Sequence, residues 1–396
     1  GSRSQSLAIA AQQLHDANRL ILRVRIDERS MAFTALGAAK ASGRPVAIIT
    51  TSGTAVANLL PAVLEASHSG VPLILLTADR PAELRGVGAN QTTNQVGIFG
   101  DAVRSCVDVE APIYPVDVNF VKELAEQTVS TALGINQDSP GPVQLNLCFR
   151  EPLSSAEPNA SDIYPGARIS EQDTYRPTFA VLAGEMNTIL VAGAEAGLEA
   201  LEAAEAFGWP IFAEPSSRCR IGANAIVGYP ALLDEQKDLA DAIQRVVVYG
   251  KPTLSRQVQK LIARRDIELV VIKSRLMGPF NPYGNAKEIA DEITVNGEVS
   301  NDWLARWRVA SHNWLSVQES SKQLDRRKII ETVYESSEIE DTIVLGASRM
   351  IREADTWAPA KAIQVFSNRG LAGIDGTIAT ATGIALGAEG LSLIHI

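Results

Sequence analysis

Short, nearly unbroken apolar runs set apart by helix-length segments constrain this chain more than anything else in it. Residues 71–78 form such a run, which reads as a strand covered on both faces, and residues 45–50 and 142–147 are of the same kind. Residues 19–26 are also strand-like. Between them, residues 4–17 are amphipathic, residues 30–42 are rich in Ala and Leu, and a helix is expected from Ser52-Gly53-Thr54 to about residue 69. Strands separated by helices of this length imply a parallel, doubly wound sheet. The pattern returns with strands at 188–192, 209–213, 245–249 and 267–272 and helices at 195–207 and 253–264. A mostly helical stretch, 287–335, leads to strands at 342–345 and 362–366 and to a last helix from 376 to about 388 with little after it to pack on.

The expected fold is therefore α/β, with three doubly wound parallel-sheet domains. They span residues 1–150, residues 180–285 and residues 336–390, joined by a linker over 151–179 and a helical connection over 286–335. The linker is polar and rich in Pro, Ser and Asp. Residues 391–396, Leu-Ser-Leu-Ile-His-Ile, also match one frame of a common transposon-adaptor DNA, and the expectation is an artefactual tail.

A net charge of −10 argues against a sequence-independent grip on nucleic acid. No apolar run approaches the roughly 20 residues of a membrane helix. Cys106, Cys148 and Cys219 are widely spaced and read as core thiols of a reducing cytoplasm, and the four histidines lack ligand spacing, so no metal is assigned to either set.

Asp27-Glu28-Arg29 stands between a strand-like run and a helix. A lone Glu there is usually a cap or a solvated charge. Arg3, Arg80, Arg352 and Arg369 lie in or beside loops that follow, or should follow, buried strands, where ligands bind in open parallel sheets, and Arg256 is placed one turn into its helix. A guanidinium holds a carboxylate through two parallel hydrogen bonds, which Lys cannot reproduce. Any one of these arginines can be a surface charge; several in an acidic protein suggest substrates with several carboxylates. Gly88-Ala89-Asn90-Gln91 offers neutral donors and acceptors, although such loops are often only turns. Ser348 reads as a helix cap whose amides could face an anion. Gly193-Ala194-Glu195-Ala196-Gly197 is G-x-x-x-G, a tight strand-to-helix turn rather than a dinucleotide fingerprint, and Gly250-Lys251-Pro252-Thr253 puts Pro where a phosphate-cradling amide would be wanted.

Taken in order, Gly1-Ser2-Arg3-Ser4, Asp27-Glu28-Arg29-Ser30, Thr51-Ser52-Gly53-Thr54-Ala55, Thr77-Ala78-Asp79-Arg80-Pro81, Gly88-Ala89-Asn90-Gln91 and the run from Ser367-Asn368-Arg369-Gly370 to Ile374-Asp375-Gly376 closely resemble one family. It is the 2-succinyl-5-enolpyruvyl-6-hydroxy-3-cyclohexene-1-carboxylate synthases, thiamin diphosphate (ThDP) enzymes of menaquinone biosynthesis, and the likeness covers essentially residues 1–390. It implies a pyrimidine-binding domain, a central domain without a cofactor role, and the start of a diphosphate-binding domain. It implies a transferase of the cytoplasm that decarboxylates 2-oxoglutarate and adds the four-carbon unit to isochorismate. The resemblance also implies a homodimer or dimer of dimers with sites between subunits. Glu28 would be buried against the coenzyme with a raised pKa. Ser52, Gly53, Ser348 and Ile374 match coenzyme-side positions, and Ser2, Arg3, Arg80, Asn90, Gln91, Arg352 and Arg369 substrate-side ones. Arg256 ranks lower, because Ser255 stands where some members carry Lys.

Two departures matter. The family's first strand should precede Gly1, and its ligands for Mg²⁺ (or Mn²⁺) and diphosphate should follow about where Leu391 begins. The expectation is a chain truncated at both ends, without metal ligands and inactive as written. The alternatives are another ThDP-dependent 2-oxo-acid enzyme such as acetolactate synthase, or a metabolite-binding α/β fragment without chemistry.

Overall fold

A computed structural model describes residues 1–113, 115–135, 139–153, 177–274, 276–299, 301–318, 324–387 and 393–395. Most of the expected linker, residues 154–176, lies outside the described residues. The chain divides into two compact units, residues 1–173 with 375–390, and residues 174–374 with 391–396.

In the first unit, β1 (Val46–Thr50), β2 (Leu73–Asp79), β3 (Cys106–Val109) and β4 (Val143–Cys148) form one parallel sheet in the order β1-β2-β4-β3. Leu73 and Leu75, on one face of β2, are fully buried, while Ile74 and Leu76 on the other face are half-buried. Helix Glu28–Ser42 ends on left-handed Gly43 and packs back on β1. The helix expected up to residue 69 is two, Thr54–Ala57 and Leu60–Ser69, because Pro61 has no N–H to donate inside a helix and sits instead in a first turn. Residues 19–26 are not a strand. Their alternation suits one, but a strand exists only with a ladder partner, and Val24 and Ile26 stand exposed without one.

Residues 375–387, counted above with the third domain, belong to this first unit. Helix Thr377–Gly387 lies on helix Glu28–Ser42 through small residues. A Cβ on Gly37 would stand 2.0 Å from the Thr380 carbonyl oxygen, and one on Gly383 1.9 Å from that of Thr34. This helix buries Thr380, Ala381, Gly383 and Ile384.

The second unit holds a five-stranded parallel sheet of β6 (Thr188–Ala192), β7 (Ile211–Ala213), β8 (Arg245–Tyr249), β9 (Glu268–Ile272) and β10 (Glu288–Ala290), in the order β10-β9-β8-β6-β7. Beside it β5 (Phe179–Ala183) pairs with β11 (Glu292–Asn296). The stretch 287–335 thus begins with two strands, and among its described residues the helices are Asn301–Ser316 and Arg326–Ser336. Phe212 stacks on Tyr229 and meets Trp307 edge-on, each at 5.0 Å, in the core of this unit. A third sheet has β12 (Thr342–Val344) between β13 (Gln364–Phe366) and β14 (Leu393–His395), all parallel. Residues 393–395, set aside above as a tail, are a strand of this sheet.

The helix pair of the first unit has a direct test. Gly37→Val should lower unfolding free energy by about 1–3 kcal/mol in urea titrations, since its side chain meets backbone that cannot yield; an unchanged midpoint contradicts the packing.

Candidate functional site

In the first unit, chemistry-bearing residues gather where β1 and β2 end. After β1 the chain passes through Thr51-Ser52 to Gly53, whose φ of +84° and ψ of −134° are open only to glycine. After β2, Arg80 is 8% exposed and turns toward that loop. Its Nη1 donates to Ser52 Oγ at 2.5 Å and to the Gln91 carbonyl at 2.8 Å. Gln91 answers through its side chain, Nε2 donating to the Ser52 carbonyl at 2.9 Å. Arg80, Ser52, Gly53 and Gln91 therefore form one knot, with exposed Asn90 beside Gln91.

The amino-terminal turn reaches the same edge. A Cβ on Gly1 would lie 2.6 Å from Thr51 Oγ1. Ser2 is exposed, whereas Arg3 is 8% exposed and donates from Nη1 to the Phe149 carbonyl at 2.7 Å. The Arg3 Nε is buried without a hydrogen-bond partner. Burial first, and then the Arg3 charge, lower the Arg80 pKa against the opposing pull of Asp79. Two guanidiniums are thus held close enough to repel, and one carries an unspent donor. An anion would relieve both costs.

Glu28 is the first residue of helix Glu28–Ser42, capped by Asp27, whose carboxylate accepts from Ser30 N at 2.8 Å. That helix runs antiparallel to β1, so Glu28 lies at the edge where Ser52 and Gly53 lie. Glu28 is half-buried in this chain.

Sequence reasoning missed Gln95. It is 1% exposed, and its Oε1 accepts from Gly53 N at 2.8 Å. Its Nε2 donates to the Ala78 carbonyl at 3.2 Å and to Asn146 Oδ1 at 2.9 Å. Asn146 in turn donates to Asp79 Oδ2 at 3.0 Å, and Asp79 is paired with Arg85 at 3.1 Å. One buried amide thereby ties the Gly53 loop to the ends of β2 and β4. Nothing in the run Thr92-Thr93-Asn94-Gln95 marks one polar residue as the inward one.

In the second unit, β12 and β13 are parallel neighbours, so the loops after them share an edge. Ser348 is exposed at the cap position of helix Arg349–Trp357, but its hydroxyl makes no capping bond. Arg352, one turn on, is exposed and reaches the Ser348 carbonyl at 3.4 Å. Arg369 is buried, and its Nη2 donates to Thr253 Oγ1 at 2.5 Å. Arg256 is exposed on the first turn of helix Arg256–Ile262, which Ser255 caps. Ile374 is 64% exposed. Beneath these loops Glu214 and Asp355 are buried together, with Tyr229 donating to Asp355 Oδ1. Burial, then the Asp355 charge, push the Glu214 carboxyl up to about 8.

Among the described residues no group of three or more His, Cys, Asp or Glu could hold a metal ion, and no helix is long and apolar enough to cross a membrane. The thiols of Cys148 and Cys219 are pushed up by burial, to about 11 and about 12, which makes them poor nucleophiles.

Two outcomes follow from these networks. Gln95→Leu strands the buried Gly53 N–H and takes one of two donors from Asn146 Oδ1, and should cost about 1–3 kcal/mol in urea unfolding; a cost near zero contradicts the network. Between about pH 4.5 and 8 native Glu214 keeps a proton that an unfolded Glu has lost, so its contribution fades as pH rises. Wild type should lose more stability than Glu214→Gln across that window, and parallel curves would contradict the assignment.

Comparison with known proteins places these residues in context. Residues 5–98 match the family described as thiamine pyrophosphate enzyme, N-terminal TPP binding domain. Over 99% of its length the chain is 42% identical to the 2-succinyl-5-enolpyruvyl-6-hydroxy-3-cyclohexene-1-carboxylate synthase of Leifsonia xyli subsp. xyli, covering 73% of that protein. It is 43% identical over 98% of its length to the synthase of the same name from Arthrobacter sp., covering 66% of that one. With the namesake from Saccharopolyspora erythraea identity is 35%, over 99% of this chain and 73% of the relative.

Proposed function

Because this chain belongs to the 2-succinyl-5-enolpyruvyl-6-hydroxy-3-cyclohexene-1-carboxylate synthases, ThDP-dependent transferases of menaquinone biosynthesis, we propose that its two sets of loops serve one reaction. In it 2-oxoglutarate loses carbon dioxide, and the remaining four-carbon unit adds to isochorismate. The observation that carries this reading is the Arg3–Arg80 pair, charged, largely buried and holding a donor without a partner. Both substrates are dicarboxylates, so four carboxylates need cationic partners.

The residues fit the coenzyme. A carboxylate at a helix start lies at the edge where Gly53 leaves the backbone without a side chain, and an aminopyrimidine ring would use such a set. Glu28, Ser52 and Gly53 would hold that ring, and Ser348 and Ile374 the other half of the molecule. Bound there, ThDP supplies the electron sink that no side chain can for the carbon losing carbon dioxide. The Glu28 carboxylate holds and returns a proton at a ring nitrogen. Arg3 and Arg80 clamp one substrate carboxylate, with Asn90, Gln91 and Ser2 orienting the groups near it. Arg369 and Arg352, and more weakly Arg256, take the remaining carboxylates.

A divalent cation, Mg²⁺ or Mn²⁺, belongs to the same proposal as counter-charge for the diphosphate. No described residue is assigned to it. A homodimer or dimer of dimers, with sites completed between subunits, and a cytoplasmic location complete the reading. No specific observation favours acetolactate synthase chemistry.

Binding separates the two roles. Glu28→Gln should weaken ThDP binding about tenfold or more in calorimetric titration with Mg²⁺ present, since a charge-assisted hydrogen bond is lost. Arg80→Lys should weaken 2-oxoglutarate binding by a similar factor, because Lys cannot span two oxygens. Wild-type affinity in either variant would overturn the role given to that residue.

A further inference from the structure

Two motifs that the proposed function leaves unused meet at Arg369. The turn Gly193–Gly197 and the loop 250–254 are packed backbone to backbone: a Cβ on Gly193 would stand 2.0 Å from Pro252 N, and one on Gly250 2.4 Å from the Ala194 carbonyl. Ala194 and Lys251 form an antiparallel bridge, with Lys251 N donating to the Ala194 carbonyl at 2.9 Å. From below, Glu214 Oε1 accepts from both Thr253 N and Leu254 N, at 2.6 and 2.7 Å. Glu214 is 2% exposed, and its Oε2 has no hydrogen-bond partner, so the carboxyl is committed to these two amides. From above, the same loop grips the loop after β13. Thr253 Oγ1 accepts from Arg369 Nη2 at 2.5 Å, and Lys251 Nζ donates to the Gly370 carbonyl at 2.9 Å.

We propose that Thr253, fixed by Glu214 and seconded by Lys251, is a positioning residue that sets the angle of the Arg369 guanidinium for a carboxylate. The inference rests on the reading of Arg369 as a substrate ligand. Its physical basis is preorganisation. A guanidinium discriminates only when its planar fork is held, and an oxygen that pins one nitrogen restricts the plane of the whole group. Two amides on one buried carboxyl fix the peptide planes on either side of Thr253, and the glycines bring the loop near enough to serve. A part of the chain without a cofactor role thus acts as a bracket for the substrate loop.

The test uses the full chain and two readouts. Modification of Arg369 by phenylglyoxal, followed by peptide mass spectrometry, reports how firmly the guanidinium is held. Calorimetric titration with 2-oxoglutarate reports the consequence. Thr253→Val should label Arg369 about fivefold faster and bind 2-oxoglutarate about fivefold more weakly, the worth of one hydrogen bond. Thr253→Ser, which keeps the hydroxyl, should match wild type in both, a rescue that loss of packing would not give. Equal thermal midpoints for the three proteins tie the effect to the hydroxyl. Unchanged labelling in Thr253→Val, or equal damage in Thr253→Ser, overturns the bracket. Arg369→Ala separates the premises: wild-type affinity there would overturn the substrate role of Arg369, while the labelling still decides the bracket.

Discussion

Two guanidiniums held near one another in a partly dry place are the constraint on which the rest of the first unit turns. Arg3 and Arg80 repel, and each has given up water. Such an arrangement survives only if other groups hold it, and those groups are present. Arg80 is pinned by Ser52 and the Gln91 carbonyl, Arg3 by the Phe149 carbonyl, and Gly53 by Gln95. The buried chain Gln95–Asn146–Asp79–Arg85 then ties these contacts into the sheet. A stability-minded design would place apolar residues here; the cost of a polar network makes sense when a multiply charged anion is the guest.

The same logic runs through the second unit with different parts. There Arg369 is drawn into the fold by Thr253, and Thr253 is set by a carboxyl that burial pushes toward its neutral form. A neutral acid under a cationic loop anchors backbone amides without cancelling the charge above it. The chain's net charge of −10 gives these basic loops contrast against an acidic surface.

How much of this was legible beforehand follows from what each residue depends on. β6 and β8 were readable to the residue, because strands buried on both faces carry the unbroken apolar runs 189–192 and 246–248. β10 and β11 were not. Their Glu-Ile-Ala-Asp-Glu-Ile-Thr-Val-Asn sequence carries charges on exposed positions, which resembles the helical segments after it. Residues 19–26 had the right alternation but no ladder partner, a property of neighbours and not of the segment. The partner of helix Thr377–Gly387 was invisible for the same reason: small residues permit close approach without naming the helix approached. Arg3, Arg80 and Arg369 were readable as site candidates from their places after strands. Gln95 and Thr253 were not, since their work is done through other residues.

The central claim is that the Arg3–Arg80 edge is built to take a second carboxylate, and competition between two 2-oxo acids tests it most directly. Displacement titrations of 2-oxoglutarate and pyruvate on the same protein compare a dicarboxylate with a monocarboxylate carrying the same reacting group. The account predicts tighter binding of 2-oxoglutarate by about tenfold or more, the worth of a charge-assisted pair, with the preference lost in Arg3→Ala/Arg80→Ala. Equal affinities for the two acids, or a preference that survives the double substitution, would contradict it.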